Sequence, residues 1–146
     1  MKHMNRWMLV VLVIAVLPLA ACSREPAHAS TVKPAVVEAI EGSEFKLVKL
    51  TEKAVERVDV QTAPVREEAV NGATRLVVPY AAVIYGLKGE TWAYTNPEPL
   101  VFVRQAINID HIDGDRAVLS EGPAVGTQVV TVGGALLYGA ETGVSK

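Results

Sequence analysis

Asn108-Ile109-Asp110-His111-Ile112-Asp113-Gly114-Asp115-Arg116-Ala117-Val118-Leu119 is the stretch that decides the fold. Asp113-Gly114 is a favoured two-residue hairpin turn, and it separates two runs of strand length, Asn108 to Ile112 and Arg116 to Leu119. Upstream, Thr91 to Thr95 alternates, with Trp92 and Tyr94 on one face and Ala93 on the other. Asn96-Pro97-Glu98-Pro99 is expected to end that strand, because proline has no N–H to give to a ladder. In the next run Phe102, Arg104 and Ala106 alternate with Val101, Val103 and Ile107, while Val83 to Tyr85 leads into a Gly86-Leu87-Lys88-Gly89 loop. Arg75 to Val78 precedes Pro79 as a further strand. Downstream, Gln128 to Val132 and Ala135 to Tyr138 read as a last hairpin joined across Gly133-Gly134.

The first part of the domain follows the same grammar. Val36 to Ile40 and Phe45 to Leu50 flank a Glu41-Gly42-Ser43 turn, giving a first hairpin. Thr51 to Arg57 reads as a short helix, with the Thr51 hydroxyl as N-cap, Glu52 favourable in the first turn, and Leu50, Ala54 and Val58 on one side. Val58 to Val65 alternates as a half-buried strand does. The expectation is an all-β fold, mainly antiparallel, a small β-roll or barrel with one short helix, spanning residues 35–146.

Ahead of this domain, Lys2, His3 and Arg6 make a basic start, and Trp7 to Cys22 carries no formal charge. That is the layout of a secretory signal over residues 1–21. Crossing a bilayer takes about 20 apolar residues, and Pro18 interrupts this run near its end. Residues 22–34, with two prolines, small residues and mixed charges without period, read as a flexible tether. With Lys2 and Arg6 removed from the 14 basic residues, 12 remain against 16 acids, a mature net charge of −4. This mild acidity argues against a nucleic-acid partner. All three methionines lie in the leader and Cys22 is the lone cysteine, so an intramolecular disulfide is impossible and a sulfur-ligated metal site is disfavoured.

Leu19-Ala20-Ala21-Cys22 resembles the bacterial lipobox. The resemblance implies that the Cys22 thiol becomes a thioether to diacylglycerol and that Cys22 is the first mature residue, anchored on the periplasmic side of the envelope. Each buried methylene contributes about 0.8 kcal/mol to such an anchor. Ser23 is similar to an outer-membrane sorting residue, but Arg24 leaves inner or outer membrane open.

Val78-Pro79-x-x-Ala82-Val83, Gly89-x-x-Trp92-x-Tyr94, Phe102-Val103-Arg104 and Gly122-x-x-x-Gly126-x-x-Val129-Val130-x-x-Gly133 occur in that order. Together they resemble the membrane-proximal domain of periplasmic adaptor subunits, or membrane fusion proteins, of tripartite RND-type efflux pumps. Lys49-Leu50-Thr51 to Val65 is similar to the strand-helix-strand piece near the start of mature adaptors. The chain departs from that pattern in Phe102-Val103-Arg104, which is tighter than the usual Phe-x-x-Arg, in Pro123 for Leu, and in Thr127 for an acid. The interval from Val65 to Val77 is also too short for the lipoyl-like domain, helical hairpin and β-barrel domain that a complete adaptor inserts. What the resemblance implies is a non-enzymatic module in transmembrane export. Its partners would be membrane lipid, through acylated Cys22, and an inner-membrane efflux transporter or a full-length adaptor.

Catalytic machinery is thin: the mature chain has His28, in the tether, and His111. Asp110, Asp113 and Asp115 surround His111, but the calcium-loop spacing and its terminal Glu are absent, so these acids read as a solvated turn. Around Gly133-Gly134 a phosphate loop would need a following helix and usually a lysine, and neither is expected. No catalytic residue, metal or cofactor is assigned. Trp92, Tyr94, Tyr80 and Tyr85 read as packing of a small barrel, and Arg57, Arg66, Arg75 and Arg104 as solvated surface charge. The loop of Leu87, Lys88 and Glu90 is the candidate partner-binding site, because flexible Gly-flanked sequence carries Leu87 outward. The alternatives are a free-standing envelope lipoprotein that binds a small ligand or another protein at a barrel mouth, and a truncated adaptor remnant.

Overall fold

Alternating apolar residues between Gly and Pro breaks build two antiparallel sheets. The computed structural model describes residues 33–143, so the leader, Cys22 and most of the tether lie outside the described residues. In chain order the elements are β1 (Ala35–Ala39), β2 (Lys46–Leu50), α1 (Glu52–Val58), β3 (Gln61–Pro64), β4 (Arg66–Val70), β5 (Ala73–Pro79), a 3-10 turn at Tyr80–Ala82, β6 (Ile84–Tyr85), β7 (Thr91–Glu98), β8 (Val101–Ala106), β9 (Asn108–Asp113), β10 (Arg116–Glu121), β11 (Gln128–Val132) and α2 (Gly134–Thr142). The larger sheet runs β1-β2-β8-β7-β11-β3, with β6 added beside β7, and the smaller runs β4-β5-β10-β9. No helix among the described residues is long and apolar enough to cross a membrane.

The larger sheet buries both faces. One face packs on the smaller sheet, where Val65, Val78, Ala93, Ile107, Leu119 and Val129 form a core. The opposite face, carrying Val48, Leu50, Tyr94, Phe102 and Val130, is covered by Ala54 and Val55 of α1 and Leu137 of α2. Period-2 alternation explains this directly: Ala93 and Tyr94, or Val129 and Val130, are neighbours in sequence and belong to different cores. Complete burial of a Val such as Val48 contributes about 1.5–3 kcal/mol.

The first hairpin and the short helix form as read from the sequence. Thr51 Oγ1 accepts from the Ala54 N–H at 3.2 Å, and α1 stops at Asp59, which takes a left-handed conformation at φ 54°. Val65 and Val77 are joined by the β4–β5 hairpin, whose turn is Asn71-Gly72 with both residues at positive φ. That is the favoured primed turn of a two-residue loop, and it leaves no room for an inserted domain.

Four expectations need correction. The sheets stack and do not close into a barrel: β1 and β3 end the larger sheet without pairing to each other. The decisive hairpin turns one residue later than read, on Gly114-Asp115, because Asp113 pairs with Arg116 and Gly114 supplies the positive φ at the first turn position. β7 continues through Pro97 to Glu98. An irregularity in its pairing with β8 accommodates the proline, and Asn96 Nδ2 donates to the carbonyls of Glu98 and Val101 at 2.7 and 2.8 Å. Finally, Ala135 to Tyr138 is not a returning strand but part of α2, a second helix.

That last difference has a plain cause. Gly133, at φ 94°, turns the chain off β11, and a Cβ there would come within 2.9 Å of Val58 Cγ1, so the turn packs onto the end of α1. Ala, Leu and Glu then favour helix, and Gly143 ends it in the left-handed region with its N–H donating to the Gly139 carbonyl. A helix therefore does follow the Gly133-Gly134 pair, contrary to the sequence reading, although no lysine accompanies it.

Candidate functional site

β6 and β7 form a hairpin whose connection is Gly86 to Glu90. The Gly86 N–H donates to the Glu90 carbonyl at 2.8 Å and the Gly89 N–H to the Gly86 carbonyl at 3.3 Å, with Gly89 at φ 89°. The Glu90 carboxylate accepts from the Lys88 N–H at 3.1 Å. Of the three candidate residues, then, Glu90 braces the loop from within, while Leu87 and Lys88 occupy its tip. Leu87 is fully exposed, and Tyr85, at the base of the loop, is half exposed. An open apolar groove lies beside this base, between β6 and the start of α2, lined by Val83, Ile84, Tyr85, Val132, Gly134 and Tyr138.

Behind the loop the packing is dense. A Cβ on Gly86 would fall 2.4 Å from the Trp92 ring, so only glycine lets the loop and this indole approach. Trp92 stacks with Tyr138 of α2, ring centroids 6.2 Å apart. The Arg104 guanidinium lies over three rings, 4.3 Å from the centroid of Trp92, 4.9 Å from Phe45 and 5.3 Å from Tyr138. Cation–π attraction of this kind is strongest where water is excluded. Arg104 also pairs with Glu141 at 3.1 Å. The same carboxylate accepts from the Tyr94 hydroxyl and, at 3.3 Å, from the backbone N–H of Lys46. Burial, then the hydrogen bond to Glu141, pushes the Tyr94 phenol far above its ordinary value.

Arg104 was read as a solvated surface charge, and the structure corrects this: its side chain is only 12 % exposed. Arg104 shares the face of β8 that carries Phe102, and Phe102 is in the core under α2. A charged residue on that face requires a partner, and α2 supplies it. The alternation is visible in the sequence, but the partner is not, because Glu141 lies 37 residues away on a helix that the sequence does not announce.

The other candidates do not converge. His111 Nδ1 lies 2.9 Å from Asp110 Oδ2 on an exposed part of β9. Asp113 instead pairs with Arg116, which also meets Glu68 at 2.5 Å. Among the described residues no group of three or more His, Cys, Asp or Glu is placed to hold a metal ion. Tyr94 is buried as expected for packing, whereas Tyr80 and Tyr85 stand at the surface. Cys22 lies outside the described residues. No protein-family model, curated protein or solved structure matches this chain.

Proposed function

We propose that this chain is a lipid-anchored, non-catalytic module on the periplasmic side of the cell envelope. It acts by docking on an inner-membrane efflux transporter or on a full-length adaptor. The observation that carries the reading is Leu87: a fully exposed leucine on a loop braced by three internal hydrogen bonds, next to an open apolar groove. Exposed apolar surface held in a fixed geometry is what a protein contact uses. The Leu19-Ala20-Ala21-Cys22 sequence supports the anchor, and the tight β4–β5 hairpin supports a role confined to the pump-facing end, because the segment that gives complete adaptors their reach has no place in it. A compact domain of this size has a radius of gyration of about 13 Å, too small to connect two membranes.

Deleting the gene tests the function. Loss of efflux or of transporter–adaptor assembly, together with failure of this chain to replace a missing complete adaptor, is the expected result. Unchanged efflux and assembly, or full replacement of an adaptor, contradicts it.

A further inference from the structure

Asn71 and Gly72 supply the two positive φ values, 52° and 81°, that the primed turn of the β4–β5 hairpin requires. The same dipeptide brings two reactive groups together. The backbone nitrogen of Gly72 follows the Asn71 side-chain amide at the spacing that closes a five-membered ring, and glycine puts no Cβ in the way of that closure. Both residues are exposed, and the space around Gly72 is open, since an added Cβ would meet nothing within 4 Å. β4 is also an edge strand, paired with β5 alone. Its hairpin tip therefore opens at low cost, as exposed and sparsely packed segments do.

We propose that Asn71 is a site of spontaneous deamidation, which converts the hairpin tip to isoaspartate. From the frayed tip, where the Asn71 backbone is free to rotate, the Gly72 nitrogen gives up its proton to solvent base and attacks Asn71 Cγ. The new C–N bond closes a succinimide, and the Cγ–Nδ2 bond breaks as the side-chain nitrogen leaves with a proton as ammonia. Water then opens the ring. Addition at the former backbone carbonyl of Asn71 leaves the main chain running through Cγ, which is isoaspartate, while addition at Cγ gives ordinary aspartate. Water is the sole co-reactant, and nothing is oxidised or reduced.

The other described positions that resemble it are guarded. Asn96 precedes Pro97, whose nitrogen carries no proton, and its amide donates to the carbonyls of Glu98 and Val101. Asn108 precedes the β-branched Ile109, and its amide donates to Glu121 at 2.8 Å. Asp113-Gly114 has the spacing for the same ring, but the Asp113 carboxylate is paired with Arg116, and an ionised carboxylate is a poor target for an amide nitrogen. Asn71 is the one described asparagine without such a guard. The product bears on the fold. Isoaspartate adds a main-chain carbon to a two-residue loop and a negative charge to the hairpin whose β4 already carries Glu67 and Glu68. β4 then loses its register with β5, and Glu68 its contact with Arg116. The change is one-way, so it marks the age of the folded chain.

Ageing the purified full-length chain in mildly alkaline buffer, with an unaged sample digested alongside, tests this. Trypsin cuts after Lys and Arg, which places Asn71 in Glu67–Arg75, Asn96 in Gly89–Arg104, and both Asn108 and Asp113 in Gln105–Arg116. By mass spectrometry, exchange of amide for acid is expected to accrue in the first peptide at least ~10-fold faster than in the other two. Isoaspartate, which the cyclic route alone yields, should accompany aspartate there and be methylated by an isoaspartyl methyltransferase. In the aged chain the β4 amides should exchange hydrogen faster than in the fresh one. Equal rates in the three peptides, no gain at Asn71, or aspartate without isoaspartate overturns the site. Unchanged exchange in β4 of a chain that carries isoaspartate overturns the proposed effect on the hairpin.

Discussion

Arg104 Nη2 stands 3.1 Å from Glu141 Oε1, with the two side chains 12 % and 3 % exposed, so a central strand and the C-terminal helix are joined by a charge pair inside the core. The pair is held on both sides, by the rings around the guanidinium and by Tyr94 and Lys46 on the carboxylate. Removing Glu141 strands a buried cation. Glu141→Ala is expected to lower the unfolding free energy by about 3–5 kcal/mol in urea denaturation. Arg104→Lys should also destabilise, because an ammonium cannot reproduce a planar group stacked on Trp92. Near-neutral results at both positions would show that α2 is not secured this way.

Tyr94 gives the same cluster a pH signature. Its phenol is raised in the folded state by burial and by the bond to Glu141, so the neutral form is the one that folding favours. The contribution is whole below the unfolded value of about 10 and is lost as pH rises beyond it, with a slope of at most about 1.4 kcal/mol per pH unit. Stability measured from pH 8 to 12 should fall more steeply in the native chain than in Tyr94→Phe. Parallel curves contradict the assignment.

Much of the strand framework was legible because alternation and turn residues are local signals. Thr51 announces α1, and Asp113-Gly114-Asp115 locates a hairpin to within one residue. Asn71-Gly72 is a turn signal of the same kind, and neither it nor β4 is among the expectations above. Pro97 misled because its missing N–H is tolerated only through Asn96 and an irregular pairing, which are tertiary facts. Ala135 to Tyr138 misled for a different reason: a short apolar run after two glycines cannot be assigned to strand or helix by its period alone, and the Glu141–Arg104 pair that ties this helix to β8 joins residues far apart in sequence. The loop tip at Leu87 was legible; the bracing role of Glu90 and the Trp92–Arg104–Glu141 support behind it were not.

The loop and that support meet at Gly86. Gly86→Ala drives a Cβ into the Trp92 ring, and such overpacking costs typically 1–3 kcal/mol. A lower thermal midpoint and a shifted tryptophan emission are expected. Gly89→Ala meets open space but sits at φ 89°, so its cost is backbone strain of about 1–2 kcal/mol, without the emission change. Identical emission changes in the two variants would show that the Gly86 contact is not specific.

For the anchor, Cys22→Ser should leave an uncleaved, unlipidated precursor. Radiolabelled fatty acid is expected to enter the wild-type protein in a bacterial host and not the variant. Absence of label from the wild type contradicts the lipobox reading of Leu19-Ala20-Ala21-Cys22.

Docking through the Gly86 to Glu90 loop is the central claim, and Leu87→Asp tests it most directly. Leu87 makes no core contact and a loop-tip change costs within about 0.5 kcal/mol, so circular dichroism and the thermal midpoint should be unchanged. Co-purification of the full-length chain from detergent-solubilised membranes with the inner-membrane transporter or adaptor should fall by at least ~10-fold, the equivalent of about 1.4 kcal/mol. Undiminished co-purification by a folded Leu87→Asp chain contradicts the account.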